Sequence, residues 1–125
     1  MVSNLGRGSP HLNSAVMWLF TRDSYCSIVR HSDNPNQLLV RARQEDDIQR
    51  LWPDARIEAT PDADYPFRAA IDEHDVVSAV GVALRAIRYT TDFKGGVTEP
   101  ARHEAYFRVW RAMRDFGLVR RAGKA

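Results

Sequence analysis

Residues 38–52, LLVRARQEDDIQRLW, change period in the middle, and few folds accommodate that change. LLVRAR alternates with a period of two, which sends Leu38, Val40 and Ala42 to one side and Leu39, Arg41 and Arg43 to the other. Three acidic residues follow, and Ile48, Leu51 and Trp52 then recur at helical spacing. Pro53 ends that helix, because a residue before proline is pushed out of the α region. A strand that runs straight into a helix, with a strand-like ARIEAT after it, begins a βαβ unit.

The rest of the chain extends that unit. Residues 16–21 and 25–31 predict a hairpin around Arg22-Asp23-Ser24, and 32–36 are a loop by composition. Strand three is 38–43, helix one 45–52, strand four 56–60, and strand five 65–71 after a Pro61-Asp62-Ala63-Asp64 turn. On strand five, Tyr65, Phe67, Ala69 and Ile71 share one side and Arg68 takes the other. Asp72 is placed to cap helix two, with Glu73 and Asp75 in its favourable acidic first turn. Val76, Val77, Val80, Leu84 and Ile87 form the apolar stripe of that helix, and Gly81 implies a close approach to the sheet. Thr98 reads as the N-cap of a third helix, with Pro100 in its first turn. This helix runs to about Phe116, buries Tyr106, Val109, Trp110 and Met113, and is ended by Gly117.

The sum is an α+β fold, a two-layer ferredoxin-like sandwich: an N-terminal hairpin, then βαββα, then a C-terminal helix. A right-handed crossover makes strands three and four parallel. Helices cover the side holding Val40, Ala42, Tyr65, Phe67 and Ile71, and the other side presents Leu39, Arg41, Arg43 and Arg68. One domain is expected over 16–117, between a polar leader (1–15, disordered, with Met17 an alternative start) and a basic tail (118–125).

The segments MWLFTRDSYCSIVRH, NPNQLLVRAR, DADYPFR, YTTDFK and HEAYFRVWRAM resemble a group of short uncharacterised bacterial hypothetical proteins that open with a similar Met-Trp-x-Phe-Thr. The resemblance spans roughly residues 17–116. It supports the element boundaries and implies no catalytic residue.

Several chemistries are excluded or disfavoured by residue type and spacing. The longest apolar run, AVMWLF, is six residues, against about 20 for a membrane-spanning helix. It is also short for a signal peptide, and with the lone Cys26 this points to the cytoplasm. Cys26 cannot form an intrachain disulfide, and five residues from His31 on one strand it faces the opposite way, so it reads as a small apolar filler. No phosphate-binding glycine loop is present; Gly95-Gly96 reads as a connection between helices. His11, His31, His74 and His103 are scattered, so no metal or cofactor site is expected. The cluster Glu45-Asp46-Asp47 is accounted for by the first turn of a helix, and Asp62 and Asp64 by their turn.

Charge is unevenly placed. Residues 45–75 hold ten acidic and three basic side chains, while 101–125 hold seven basic and two acidic. Arg41, Arg43 and Arg68, projecting together from adjacent strands, make an array suited to carboxylate or phosphate; the alternative is that they pair with Glu58 or other acids. Nucleic-acid readers of this architecture add aromatic platforms. Tyr65 and Phe67 are assigned to the opposite side, so base stacking is disfavoured. Tyr89, Phe93 and Lys94, in the unpatterned YTTDFK, are further candidate ligand contacts. The wide apolar surface of the third helix is either core, which is favoured, or a partner surface. These features describe a small non-enzymatic interaction or regulatory protein whose partner is a macromolecule, most readily a protein. Weak nucleic-acid binding through the arginine face and basic tail is one alternative. A small enzyme using the arginines on an acidic substrate is the other.

Overall fold

The computed structural model describes residues 16–87 and 96–124. They fall into two compact units, one ending at Ile87 and the other following it. The first is a mixed sheet-and-helix unit. Its strands are β1 (Met17–Thr21), β2 (Ser24–Arg30), β3 (Gln37–Ala42), β4 (Glu58–Ala59) and β5 (Phe67–Asp72), and its helices are α1 (Glu45–Gln49) and α2 (Glu73–Arg85). The five strands form one sheet in the order β1-β2-β3-β5-β4, every neighbouring pair antiparallel. β3 and β4 therefore run the same way, as the crossover requires, but do not pair, because β5 lies between them.

Alternation along the strands separates a buried side from a second, arginine-bearing side. Val40 is fully buried between Ile28 of β2 and Ala69 of β5. Around it Cys26, Ala42 and Ile71 meet Ile48 and Trp52 from the α1 region and Val76 of α2. Phe67 packs against this cluster, as its parity predicts. α1 ends at Gln49, three residues short of the expected Trp52, although the Trp52 N–H still reaches back to the Ile48 carbonyl (2.9 Å) before Pro53. The Trp52 indole N–H donates to the Asp75 carbonyl (3.0 Å), which ties the end of α1 to the first turn of α2.

Asp47 does more than favour a helix dipole. Its carboxylate is buried, accepts the Tyr25 backbone N–H (3.0 Å) and meets Arg50 (3.2 Å), and so pins α1 to the start of β2.

The helices differ from expectation in several places. Asp72 occupies the N-cap position of α2 without making a side-chain cap bond; its Oδ1 accepts from Gln37 instead (3.2 Å). Only the first half of α2 is seated, through Val76, Ala79 and Val80, while Val77, Leu84 and Ile87 are exposed. Gly81 is not a point of close approach, since a β-carbon there would meet no atom within 4 Å.

The second unit contains α3 (Pro100–Lys124). The Glu99 carbonyl accepts the first helical N–H, from His103 (2.8 Å), so Glu99 rather than Thr98 stands at the N-cap. Gly117 does not end the helix, which continues through 118–124. Tyr106 is buried and its hydroxyl accepts from Arg102 (3.0 Å). Val109, Trp110 and Met113, expected in a core, are exposed. The Trp110 ring is flanked by side chains of its own helix, Phe107 stacking at 5.9 Å and Arg114 at 5.4 Å. No helix among the described residues is long and apolar enough to cross a membrane.

Two stability measurements check this account. Gly81→Ala should raise unfolding free energy by about 0.5–1 kcal/mol in urea denaturation, because it adds helix propensity where there is room. Asp47→Ala should cost about 1.5–3 kcal/mol in the same assay, the range for a lost hydrogen bond to a charged group.

Candidate functional site

The side of the sheet opposite α1 and α2 carries the site. Reading across the strands, it presents Trp18 and Phe20 of β1, Tyr25 and Ser27 of β2, Leu39 and Arg41 of β3, and Arg68 of β5. Arg43, just past the end of β3, joins them. The structure thus brings together all three arginines proposed from sequence. Tyr89, Phe93 and Lys94 lie outside the described residues.

Tyr65 is on this side, not with Phe67. β5 begins only at Phe67, because Pro66 has no N–H to give a ladder, and the preceding residues bend. The bend carries the Tyr65 ring under two guanidinium groups, 4.9 Å from Arg41 and 4.7 Å from Arg43. Its hydroxyl lies 3.0 Å from that of Tyr25. Phe20 stacks on Tyr25 at 4.6 Å and Trp18 meets it edge-on at 6.3 Å. The aromatic platform thought to be missing is therefore present, drawn from β1, β2 and the bend before β5. Trp18, 61% exposed, is its outermost ring. β1 and β2 were legible as a hairpin; the signal that could have found the platform is their parity, which sets Trp18 and Phe20 on the side opposite Leu19.

The arginines are held differently. Arg43 pairs with Asp64 (3.2 Å) at the surface. Arg41 donates to the Ser27 hydroxyl (2.7 Å), and Arg68 reaches the Tyr65 carbonyl (3.4 Å). Glu58 stands opposite Arg68 across β4 and β5, yet no ion pair joins them among the described residues.

The two phenols titrate apart. Burial and the hydrogen bond to Tyr65 push Tyr25 up. Burial would also raise Tyr65, but hydrogen bonding with Tyr25, Ser27 and Arg43, together with the Arg43 charge, holds it below the ordinary tyrosine value. The arrangement can offer a planar ring the exposed face of Trp18 while opposing a negative group with guanidinium.

Two grooves lie elsewhere. One is lined by Trp52, Asp54, Arg56, Ile71 and Asp75, the other by Asn34, Asn36 and Glu73. Neither includes the arginines. Among the described residues no cluster of three or more His, Cys, Asp and Glu is placed to hold a metal ion. His31 uses Nδ1 to accept the N–H groups of Asp33 and Asn34 (both 3.1 Å). No family model matches the chain, and no curated protein or solved structure does.

The phenol pair gives a direct test. Phenolate absorbance should show one tyrosine ionising below the ordinary value of about 10, and Tyr65→Phe should remove it. Tyr25→Phe should move it upward. Because the fold favours the Tyr65 phenolate, its stabilisation appears as pH rises through the lowered value and is complete above about 10. Tyr25, favoured in its neutral form, loses stabilisation only above about 10.

Proposed function

We propose that the arginine-bearing side of the sheet binds single-stranded nucleic acid, with Trp18 stacking a base and Arg41, Arg43 and Arg68 facing phosphate. The observation that carries this reading is an exposed tryptophan beside an arginine array on one sheet surface. Each component has a known physical role: aromatic faces hold successive bases regardless of sequence, and guanidinium groups neutralise the backbone. The arginines are also suited to stack, since their planar groups already lie over Tyr65.

We infer further that the sheet belongs to a ferredoxin-like sandwich. β3-α1-β4-β5-α2 supplies βαββα, with β5 between β3 and β4, and β2 takes the place of the fourth strand beside β3. In RNA-recognition modules built on a four-stranded sheet, the stacking rings sit on the sheet surface; here Trp18 shares that surface but stands on β1, the edge strand outside those four. Binding of this kind is weakly sequence-selective, because every base has a face that can stack on an aromatic ring.

A second reading, a protein partner, rests on α3. Val109, Met113 and Phe116 recur at three- and four-residue spacing with Trp110 beside them, and all four are exposed. The helix carries Arg102, Arg108, Arg111, Arg114, Arg120 and Arg121 against Glu104 and Asp115, so two copies of it would repel. The occupant with matching chemistry is an acidic amphipathic helix of another protein.

The nucleic-acid reading predicts that a single-stranded oligonucleotide quenches Trp18 emission, identified by its loss in Trp18→Phe. Trp18→Ala should weaken binding about 5- to 100-fold, the effect of one stacked base. Affinity should fall with salt by about 0.7 log units per log unit for each neutralised phosphate. Arg43→Glu should flatten that slope. Unchanged affinity in Trp18→Ala and Arg43→Glu would exclude this surface.

A further inference from the structure

Arg41 and Arg68 are directly opposed in the β3–β5 ladder, one pair from the end of that ladder. Like charges in that relation repel. Neither guanidinium has a carboxylate partner within ion-pair distance among the described residues. Ser27 and the Tyr65 carbonyl, their hydrogen-bond acceptors, are both neutral. The Nε atom of each arginine is shielded from water and finds no hydrogen-bond partner among the described residues. Two charged side chains thus carry unused, desolvated donors at one spot, and an unmade buried donor is costly.

From this geometry we propose a phosphoryl subsite between Arg41 and Arg68. A tetrahedral oxyanion has several acceptor oxygens, so it can take one guanidinium edge on each side, in the fork geometry that arginine offers and lysine does not. It would meet the Nη groups first, and a small turn of either side chain presents Nε–H as well. A carboxylate, with two oxygens in one plane, has fewer acceptor oxygens to divide between them. The subsite rests on the single-strand reading and deepens it: the phosphoryl group is a backbone phosphodiester of the strand that stacks a base on Trp18. The same chemistry could be supplied by a free phosphate compound, and the experiment separates the two.

The test follows the arginine Nε–H resonances of the ¹⁵N-labelled full chain, assigned with Arg41→Gln and Arg68→Gln. Inorganic phosphate is titrated against chloride at matched ionic strength, followed by an oligothymidylate and its uncharged methylphosphonate counterpart. Phosphate should shift the Arg41 and Arg68 Nε–H signals together and chloride should not. Either glutamine variant should abolish the shift at the remaining arginine, and Arg68→Lys should not restore it. The wild-type titration stands even if a variant fails to fold. Equal responses to phosphate and chloride would overturn the subsite. If phosphate shifts both signals but the charged oligonucleotide binds no tighter than phosphate, the subsite holds for a small phosphate compound and the single-strand reading falls. If the oligonucleotide binds yet moves neither signal, the single-strand reading stands and the subsite falls. Equal binding of the uncharged strand would likewise overturn the subsite.

Discussion

The register that seats Val40 between Ile28 and Ala69 is the constraint on which both sides of the sheet depend. A one-residue slip of β3 would turn Arg41 toward Ile48 and Val76 and bring Val40 to the other side. Burying an unpaired guanidinium among those side chains would cost several kcal/mol, so the register is strongly specified. Because it is specified, the position of Arg41 opposite Arg68 is also fixed. The repulsion between them is then a consequence of a choice made by the core. The apolar cluster under β3 supplies the free energy that holds two like charges together.

The arginine side has its own means of cohesion. Tyr65 lies beneath Arg41 and Arg43 and is bound at its hydroxyl to Tyr25, which in turn carries Phe20 and Trp18. Each cation–ring contact contributes about 0.5–2 kcal/mol, more as water is excluded. Asp47 enters this arrangement from the opposite layer, through the Tyr25 backbone N–H. The helix side thereby fixes where β2 begins, and hence where the Tyr25 ring sits.

How much of this the sequence discloses depends on whether a local rule or a tertiary contact decides the matter. The alternation of 38–43 and the acidic start of α2 are local, and the structure follows them. The arginine array is local too, since it needs only the parity of two strands. Tyr65 illustrates the other case. Counting by twos from Phe67 puts it in the core, but Pro66 interrupts the ladder and the Pro66 carbonyl bonds instead to Thr60 (2.7 Å). The ring then goes where cations attract it. For Asp47, the first-turn position and the long-range bond are both real, and only the former leaves a trace in spacing. Helix α3 shows the limit of periodicity: Tyr106, Val109 and Met113 make a regular stripe, yet a stripe says nothing of whether the chain itself covers it.

The uneven charge of residues 45–75 takes on a different meaning once the layers are known. As a linear tract it argues against phosphate binding. In the fold, Glu45, Asp46 and Asp47 belong to α1 and Glu73 and Asp75 to the start of α2, and both helices pack on the side away from Arg41. Packed layers are spaced about 10 Å apart, close to one Debye length at physiological salt. A phosphate beside Arg41 is thus held at least a layer's thickness from those acids while it meets the arginines at contact distance, and repulsion falls with distance. The acids nearest to it are Asp64, already paired with Arg43, and Glu58 beside Arg68. The negative tract therefore does not oppose an anion on the arginine side. It gives the unit a polarity that turns that side toward one.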